Sequence, residues 1–349
     1  MNKKYLTFDD VLLRPVWSDK KSRMGDDIST AGRASKNVEI SIPIMSANMR
    51  TVTDANMCNA MAKAGGIGIL HRYFNDNLYD WFSEIGKITE LYGMSVGYEK
   101  WSGVLTELFE PTADWVEQLR LPAIVVYDVA NAANEHIFQD VQKLIKYRDD
   151  IETLRNYRFD IIVGNIATAE AAFRYKELNI EGLKVGIGPG SACTTRLMTG
   201  CGVPQLTAIQ EVFAVLNGTE ITLIADGGIE KSGDMCKALA AGADCVMMGK
   251  QLAYAKESPG WYYDEKTRWY LKDYKGEASF AVNRVPEGKA LGLRLSHEPH
   301  VVQHITTEYG GSLRSCLSYC NAYGLRDLKT NANIIEVSTN TLIENHVRN

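Results

Sequence analysis

Leu183-Lys184-Val185-Gly186-Ile187-Gly188-Pro189-Gly190-Ser191-Ala192-Cys193-Thr194-Thr195-Arg196, running on to Pro204-Gln205, is the stretch whose reading decides the fold. Leu183 to Val185 forms a short apolar strand. The glycines at 186, 188 and 190, with Pro189 between them, hold the following residues out of helix and sheet. A thiol and two hydroxyls are thereby carried to the carboxyl end of a strand, as a nucleophile would be. Taken alone, the same stretch also suits a glycine-rich turn around an inert cysteine, because free cysteine is among the most buried residue types. It is not a dinucleotide fingerprint: the glycines lack G-x-G-x-x-G spacing, and Pro189 interrupts the step into a helix. Beyond the loop, Pro204 to Leu216 has helical spacing and Thr222 to Ala225 is again a short apolar run.

The same unit recurs on both sides. Strands are predicted at Ile42 to Ser46, Ile67 to Leu70, Met94 to Val96, Ala123 to Tyr127 and Asp160 to Val163 before the loop, and at Cys245 to Met248 after Thr222 to Ala225. Helical segments separate most of them: one capped by Thr53 and Asp54 and ended by Gly65 and Gly66, one running toward Lys146, one from Thr168 to Leu178, and one from Ser232 to Ala240. Eight such units are the pattern of a closed parallel (β/α)8 TIM barrel, with an open doubly wound sheet as the competing α/β architecture. A barrel places its chemistry at the carboxyl ends of the strands, and Asn48, His71, Asp128, Asn165, Cys193, Asp226 and Lys250 all fall there. Leu6 to Pro15 reads as an arm packed on the core. Past the last strand, Trp261 to Tyr274 reads as an added hairpin within a flap region at 257–290, with Gly276 to Gly288 as a loop. A helix is expected to start at Gly310 to Ser315 and close the barrel. No linker or repeat divides residues 1–349, so a single catalytic domain is expected.

Composition narrows the function classes. The 349 residues are 45% hydrophobic and 23% charged, enough for a large core and too apolar for a disordered chain. A net charge of -5 argues against a nucleic-acid partner, which requires a basic face. There is no leader-like start and no run of about 20 apolar residues, so a cytoplasmic protein without a membrane partner is expected. Seven cysteines without C-x-x-C pairs suit reduced thiols, and six histidines show no metal-ligand spacing; His297 and His300 read as solvated.

The turns after the last two strands point to a phosphate. Asp226-Gly227-Gly228 follows one strand and Gly249-Lys250 the next, and their glycines can expose backbone amides, with Ser191 as a further donor. Asp226 would repel a phosphate and is better suited to accept from the sugar hydroxyls of a nucleotide. With these residues assembled, the chain resembles the IMP dehydrogenase and GMP reductase family over nearly its whole length. The resemblance is carried by the Thr7 to Pro15 arm, Ser46-Ala47-Asn48-Met49, the Gly186 to Arg196 loop, Asp226-Gly227-Gly228 and the Gly310 to Ser315 turn.

The resemblance implies a homotetrameric barrel that binds a purine nucleoside monophosphate, with the sulfur of Cys193 attacking C2 of the base and hydride moving between that carbon and a nicotinamide. It also implies a site for a monovalent cation, K+, on the carbonyls of Gly188, Gly190 and Cys193. Dehydrogenases of the family carry an Arg-Tyr pair on a mobile flap that activates water, and usually a pair of regulatory repeats after the second strand. Here His71-Arg72-Tyr73 leads on without room for the repeats, and Gly276 to Glu287 holds no Arg followed by Tyr. Arg284-Val285-Pro286-Glu287-Gly288-Lys289 looks instead like the Arg-x-x-Glu-Gly-Lys of the reductases, and Asp128-Val129-Ala130-Asn131 followed by Glu135-His136 resembles their segment.

On that resemblance Thr195 and Glu287 protonate the departing 2-amino group, Cys193 holds the purine as a covalent thioimidate, and NADPH is the reductant. An unprotonated amine leaves poorly, and a carboxyl in a dry site can hold the required proton. Asn48, Met49, Gly276, Glu277, Ala278, Arg284 and Gly288 are implied at the nucleotide, and Arg72, Asp128, Ala130 and Asn165 at the cofactor. Three residues depart from the family pattern: Arg50 replaces an acid, Ala132 a glycine, and Glu277 a methionine set against the purine. Glu277 leaves open a deoxy or modified guanine nucleotide as substrate. A dehydrogenase lacking the repeats and a nucleotide-binding paralogue without turnover are the other readings.

Overall fold

The computed structural model describes residues 4–344 apart from 26, 75–76 and 277–288. After a 3-10 turn at Phe8–Asp10, strand β1 (Val11–Arg14) leads to a hairpin of β2 (Gly32–Ser35) and β3 (Val38–Ile40). The repeat then runs β4 (Ile44–Ser46), α1 (Ala55–Lys63), β5 (Ile67–Leu70), α2 (Leu78–Ile85), β6 (Tyr92–Val96), α3 (Trp101–Phe109), β7 (Ile124–Asp128), α4 (Glu135–Arg155). It continues through β8 (Asp160–Ile166), α5 (Ala169–Tyr175), β9 (Gly182–Val185), α6 (Thr195–Thr199), α7 (Gln205–Leu216), β10 (Thr222–Asp226), α8 (Ser232–Ala240), β11 (Cys245–Met248) and α9 (Lys250–Ala253). The tail comprises β12 (Tyr262–Asp264), β13 (Trp269–Lys275), β14 (Ala290–Leu295), α10 (Val302–Tyr319), α11 (Leu325–Asn331), β15 (Asn333–Glu336) and α12 (Thr339–Glu344).

Strands β4 to β11 form a closed parallel barrel, sealed where Val246 of β11 pairs with Ile44 of β4. The open doubly wound sheet is thereby excluded. Helix starts follow local chemistry: Asp54 accepts from Met57 N, Asn134 from His136 N and Ile137 N, and Thr168 from Ala171 N. Strand parity then divides the core into two clusters. Ile124 and Val126 of β7, Met45 of β4 and Ile224 of β10 point inside, with Ala34 and Ile40 of the β2–β3 hairpin plugging one end. Val125, Tyr127, Leu183, Leu223 and Val246 point outward and pack under the helices. The hairpin plug is tied by Asp160, whose carboxylate accepts from Ser35 Oγ at 2.6 Å and from Asn37 N and Nδ2 at 2.9 and 2.8 Å.

The Leu6 to Pro15 arm packs as expected, burying Phe8 and Val11 and pairing β1 antiparallel with β15. Three features differ from the sequence reading. The expected start of a helix at Gly310 lies inside α10, which begins at Val302 and buries Val302, Tyr309, Leu313 and Leu317 along one face. Close packing accounts for a glycine there, because a Cβ on Gly310 would stand 3.3 Å from Ile42 Cδ1. The hairpin at Trp261 to Tyr274 is present but gains a third strand, β14, that extends past 290 to Leu295. Finally, α2, α3, α6, α9, α11 and α12, and the strand pairs β1–β15 and β2–β3, were not apparent in the sequence pattern, and α6 lies in the stretch read as free of helix. Among the described residues no helix is long and apolar enough to cross a membrane.

Lys272 of β13 is buried and fastens the hairpin to the barrel, its Nζ donating to Ala253 O at 3.0 Å and to Ser258 Oγ. Burial pushes its ammonium down to about 7, with Asp54 opposing only in part. The unfolded chain, in which a lysine titrates near about 10.4, therefore binds more protons than the folded chain above about pH 7. Stability should rise with pH across that window, by up to about 1.4 kcal/mol per pH unit from this group. Urea unfolding at about pH 7, 8 and 9 should show that rise in the wild type and its loss in Lys272→Met, relative to the common background.

Candidate active site

Inward positions at the carboxyl ends of the strands carry polar groups where lower layers carry Ile and Val. Asp128 continues the inward series of Ile124 and Val126, and Asp226 follows Ile224. Lys184, inward on β9, lies between them: its Nζ stands 3.1 Å from Asp128 Oδ1 and 2.7 Å from Asp226 Oδ2. Burial acts to lower the Lys184 ammonium, but the two carboxylates outweigh it and raise it well above the ordinary lysine range. Burial alone would likewise raise Asp128, yet Lys184 and Arg72 hold its carboxyl below the usual range. These groups floor a cavity of about 760 Å³, which Asn48, Met49, Ala130, Gly188, Cys193 and Thr195 also line. A larger hollow of about 950 Å³ at Arg33, Glu39 and Glu220 lies at the plugged end of the barrel, away from this chemistry.

The cysteine loop leaves β9 as the sequence requires. Gly186 has φ +151°, and a Cβ there would lie 2.0 Å from Asp226 O, so the loop base admits no side chain. Gln205 Nε2 donates to Val185 O at 2.8 Å and Asp226 O at 3.1 Å, and Arg196 Nη2 donates to Val203 O, which staples the loop shut. Cys193 N donates to Gly190 O at 2.9 Å, closing a turn that presents a half-buried thiol. Its Sγ donates to Thr195 Oγ1 at 3.2 Å, where α6 begins.

A second hollow of about 90 Å³ opens beside the first, lined by Ser191, Gly228, Gly249, Lys250 and Tyr274. Both sequence-predicted phosphate turns, after β10 and after β11, therefore meet at one corner. Tyr274 closes it: the residue is buried, its phenol is pushed up to about 12 by burial, and a Cβ on Gly249 would stand 2.6 Å from its oxygen. Lys250 Nζ is 3.9 Å from Glu230 at the rim.

Of the residues proposed at the cofactor, Arg72, Asp128, Ala130 and Asn165 all line the cavity of about 760 Å³. Arg72 Nε and Asn165 Oδ1 are buried there without hydrogen-bond partners among the described residues, a donor and an acceptor that suit a polar ligand. Gly276 lines the same cavity, and Lys289 N donates to Ala192 O at 2.9 Å, one residue from Cys193. Glu277, Ala278, Arg284, Glu287 and Gly288, between these two positions, lie outside the described residues. No group of His, Cys, Asp and Glu among the described residues is arranged to hold a metal ion. His297 and His300 are exposed. His71 is buried, pushed down to about 4 by burial and by the Arg50 charge, and its Nδ1 accepts from Tyr73 N at 3.1 Å, a role within the turn. The departure at Ala132 fits, since it is fully buried and exchanges 2.8 Å hydrogen bonds with Asn165 O and the Tyr175 hydroxyl.

Sequence reading missed Lys184 and Tyr274. Lys184 was hidden inside an apolar strand, although a lysine at an inward barrel position is a signal by itself. Tyr274 ends a strand whose neighbours are aromatic, and only its docking separates it from them.

The thiols differ enough to be told apart chemically. Cys201 is exposed and Cys193 half-buried, whereas Cys58, Cys236, Cys245 and Cys320 are buried. Burial pushes the Cys58 and Cys245 thiols up. Brief iodoacetamide treatment followed by peptide mass spectrometry should label Cys201 and Cys193 and spare those four, because alkylation requires an accessible thiolate. A purine nucleoside monophosphate should protect Cys193 while leaving Cys201 reactive.

The comparisons agree with this geometry. The family model described as the IMP dehydrogenase / GMP reductase domain matches residues 5–348. The inosine-5'-monophosphate dehydrogenase of Borreliella burgdorferi is 33% identical over 99% of this chain and 97% of its own length. That of Cryptosporidium parvum is 32% identical over 99% and 95%. Human GMP reductase 2 is 32% identical over 95% of this chain and 94% of its own length. With a closed eight-strand parallel barrel, a loop-borne cysteine at its mouth and a family match across almost every residue, the chain belongs to the IMP dehydrogenase / GMP reductase family of oxidoreductases, which act on purine nucleoside monophosphates with NAD(P).

Proposed function

We propose that the chain is a GMP reductase, converting GMP to IMP and ammonia with NADPH as the reductant. The observation that carries the reading is the pairing of Cys193 with Thr195 at 3.2 Å beside Lys289, the last residue of the Arg284 to Lys289 signature, whose amide is bonded to Ala192. Cys193 adds to C2 of guanine, and the ring nitrogen takes up the electron pair. Thr195 and Glu287 deliver a proton to the 2-amino group, so that ammonia departs and a thioimidate remains. Held by Arg72, Asp128, Ala130 and Asn165, a reduced nicotinamide would supply the hydride that C2 of the thioimidate accepts. Cys193 then leaves, restoring the thiol and releasing IMP.

In this reading the corner formed by Ser191, Gly228, Gly249, Lys250 and Tyr274 takes the phosphate, and Asp226 accepts from the ribose. Asn48, Met49, Gly276, Glu277, Ala278, Arg284 and Gly288 surround the nucleotide, with Glu277 extending the candidates to deoxy or modified guanine nucleotides. Arg72, Asp128, Ala130 and Asn165 hold the cofactor; Asn165 Oδ1, buried without a hydrogen-bond partner among the described residues, and Arg72 Nε, whose contact to Asp128 at 3.7 Å is an ion pair and not a hydrogen bond, support that assignment. The carbonyls of Gly188, Gly190 and Cys193 are neutral hard donors suited to K+, which would stiffen the loop. A homotetramer is carried with the family.

A second reading, IMP dehydrogenase, takes its support from the names of the Borreliella and Cryptosporidium relatives, whose identities of 33% and 32% do not separate them from the 32% of the human reductase. The two readings differ in their products. Purified protein with GMP and NADPH should lose absorbance at about 340 nm and release one ammonia per NADPH consumed, while IMP with NAD should yield no xanthosine monophosphate. Cys193→Ala should lower the rate at least about 10³-fold, since removing a covalent nucleophile removes the route itself. Xanthosine monophosphate formation would overturn the reductase reading in favour of the second.

A further inference from the structure

One ammonium at the mouth of the barrel belongs to no motif of the sequence. Lys184 is 3% exposed and contacts both carboxylates of the cavity, Asp128 on β7 and Asp226 on β10. It reaches Asp128 across an intervening strand, and the register shows how. Asp128 pairs with Gly164 of β8, and Gly164 with Lys184 of β9. A Cβ on Gly164 would stand 2.5 Å from Lys184 Cβ, so the missing side chain is what opens the row between cation and carboxylate. On the other side Lys184 pairs with Ile224, two residues before Asp226.

The contact extends to the cysteine loop. Asn165 Nδ2 donates to Asp226 Oδ2 at 2.9 Å and to Gly186 O at 2.6 Å. Gly186 is the first residue of the loop that carries Cys193. Both Lys184 and Asn165 engage Oδ2 of Asp226, and among the described residues this leaves Oδ1 to a ligand hydroxyl. A buried ion pair made only for stability gains little over apolar packing, and it has no need of a second carboxylate. Here both carboxylates line the ligand cavity.

We propose that Lys184 is a positioning residue that serves two ligand subsites at once. It holds Asp226 as an acceptor for the sugar of the nucleotide and Asp128 as an acceptor for the sugar of the second, nicotinamide-bearing ligand. Through Asp226 and Asn165 it also fixes the base of the cysteine loop. The identity of the two ligands rests on the function proposed above; the role of the lysine rests on the geometry.

The groups that face Asp128 are Lys184 from β9, Arg72 from the turn after β5 with Nε at 3.7 Å, Asn48 from the turn after β4, and Asp226 beyond the shared ammonium. Burial opposes its ionisation and Lys184 is the foremost cation opposing burial. With the ammonium gone, two carboxylates share a dry site with Arg72 as the cation beside Asp128, and a proton taken up by one turns an acceptor into a donor. Ligand binding should then acquire an acid limb near neutrality.

Titration calorimetry on the full chain tests this, using GMP, IMP and NADPH separately between about pH 5.5 and 9. Wild type and Lys184→Arg should bind with little change above about pH 6. Lys184→Met should bind at least about tenfold more weakly at pH 6.5 and recover much of that loss by pH 9. Lys184→Met/Asp128→Asn, which removes cation and carboxylate together and so remains foldable if the single variant does not, should bind NADPH weakly at every pH without the limb. Uniform weakening of Lys184→Met across the whole range, or an unchanged profile, overturns the assignment of Lys184 and leaves the proposed function standing. Failure of the wild type to bind any of the three overturns the proposed function, and this assignment with it.

Discussion

Parity inside a closed barrel is the constraint on which the rest of this structure depends. Once β11 pairs with β4, every second residue of eight strands must project into a space with no exit, so lower layers are filled by Met45, Ile67, Ile124, Ile162 and Ile224. The same alternation, carried one step further, delivers Asp128, Lys184 and Asp226 to the mouth, where they line the cavity. Three polar side chains thus arrive at one place from strands distant in sequence, with no loop having to hold them. A slip of one residue in any of these strands would turn its polar group outward into the helix layer.

Electrostatic balance at the mouth follows from that arrangement. One ammonium faces two carboxylates, and Arg72 adds a second cation against Asp128, so the pocket floor is close to charge-matched despite its burial. A matched floor leaves the chemistry to neighbouring elements. The thiol stands on a loop stapled by Gln205 and Arg196, and the corner proposed for phosphate is built from glycine turns and a buried phenol. The groups that line the mouth thus come from the ends of several strands, β4, β5, β7, β8, β9 and β10, around the loop that carries Cys193.

The hairpin formed by β12, β13 and β14 contributes from outside the barrel. It seats Tyr274 against Gly249 and Met49, and its closing strand brings Lys289 to Ala192. Lys272, buried beneath it against Ala253 and Ser258, makes that seat depend on a lysine whose charge is disfavoured. The Arg284 to Lys289 run on which the proposed function rests lies in sequence between β13 and β14.

The sequence by itself determined the eight barrel strands, because short β-branched and aliphatic runs between capped helices leave little choice of partner. It also determined the cysteine loop as far as Thr194, whose glycines and proline allow no regular structure, though not the short helix α6 that follows, and the glycine turns after β10 and β11. What only the tertiary structure decided are pairings across many residues. Lys184 reads as part of an apolar strand until its inward parity and the gap at Gly164 are known, and Tyr274 reads as one aromatic among several until the hairpin docks. Gly310 and Gly311 look like a helix boundary, yet α10 runs through them, because packing of its buried face outweighs the local cost of two glycines. Local propensity and spacing act over a few residues, whereas a buried charge is placed by partners that the chain brings together only when the barrel closes.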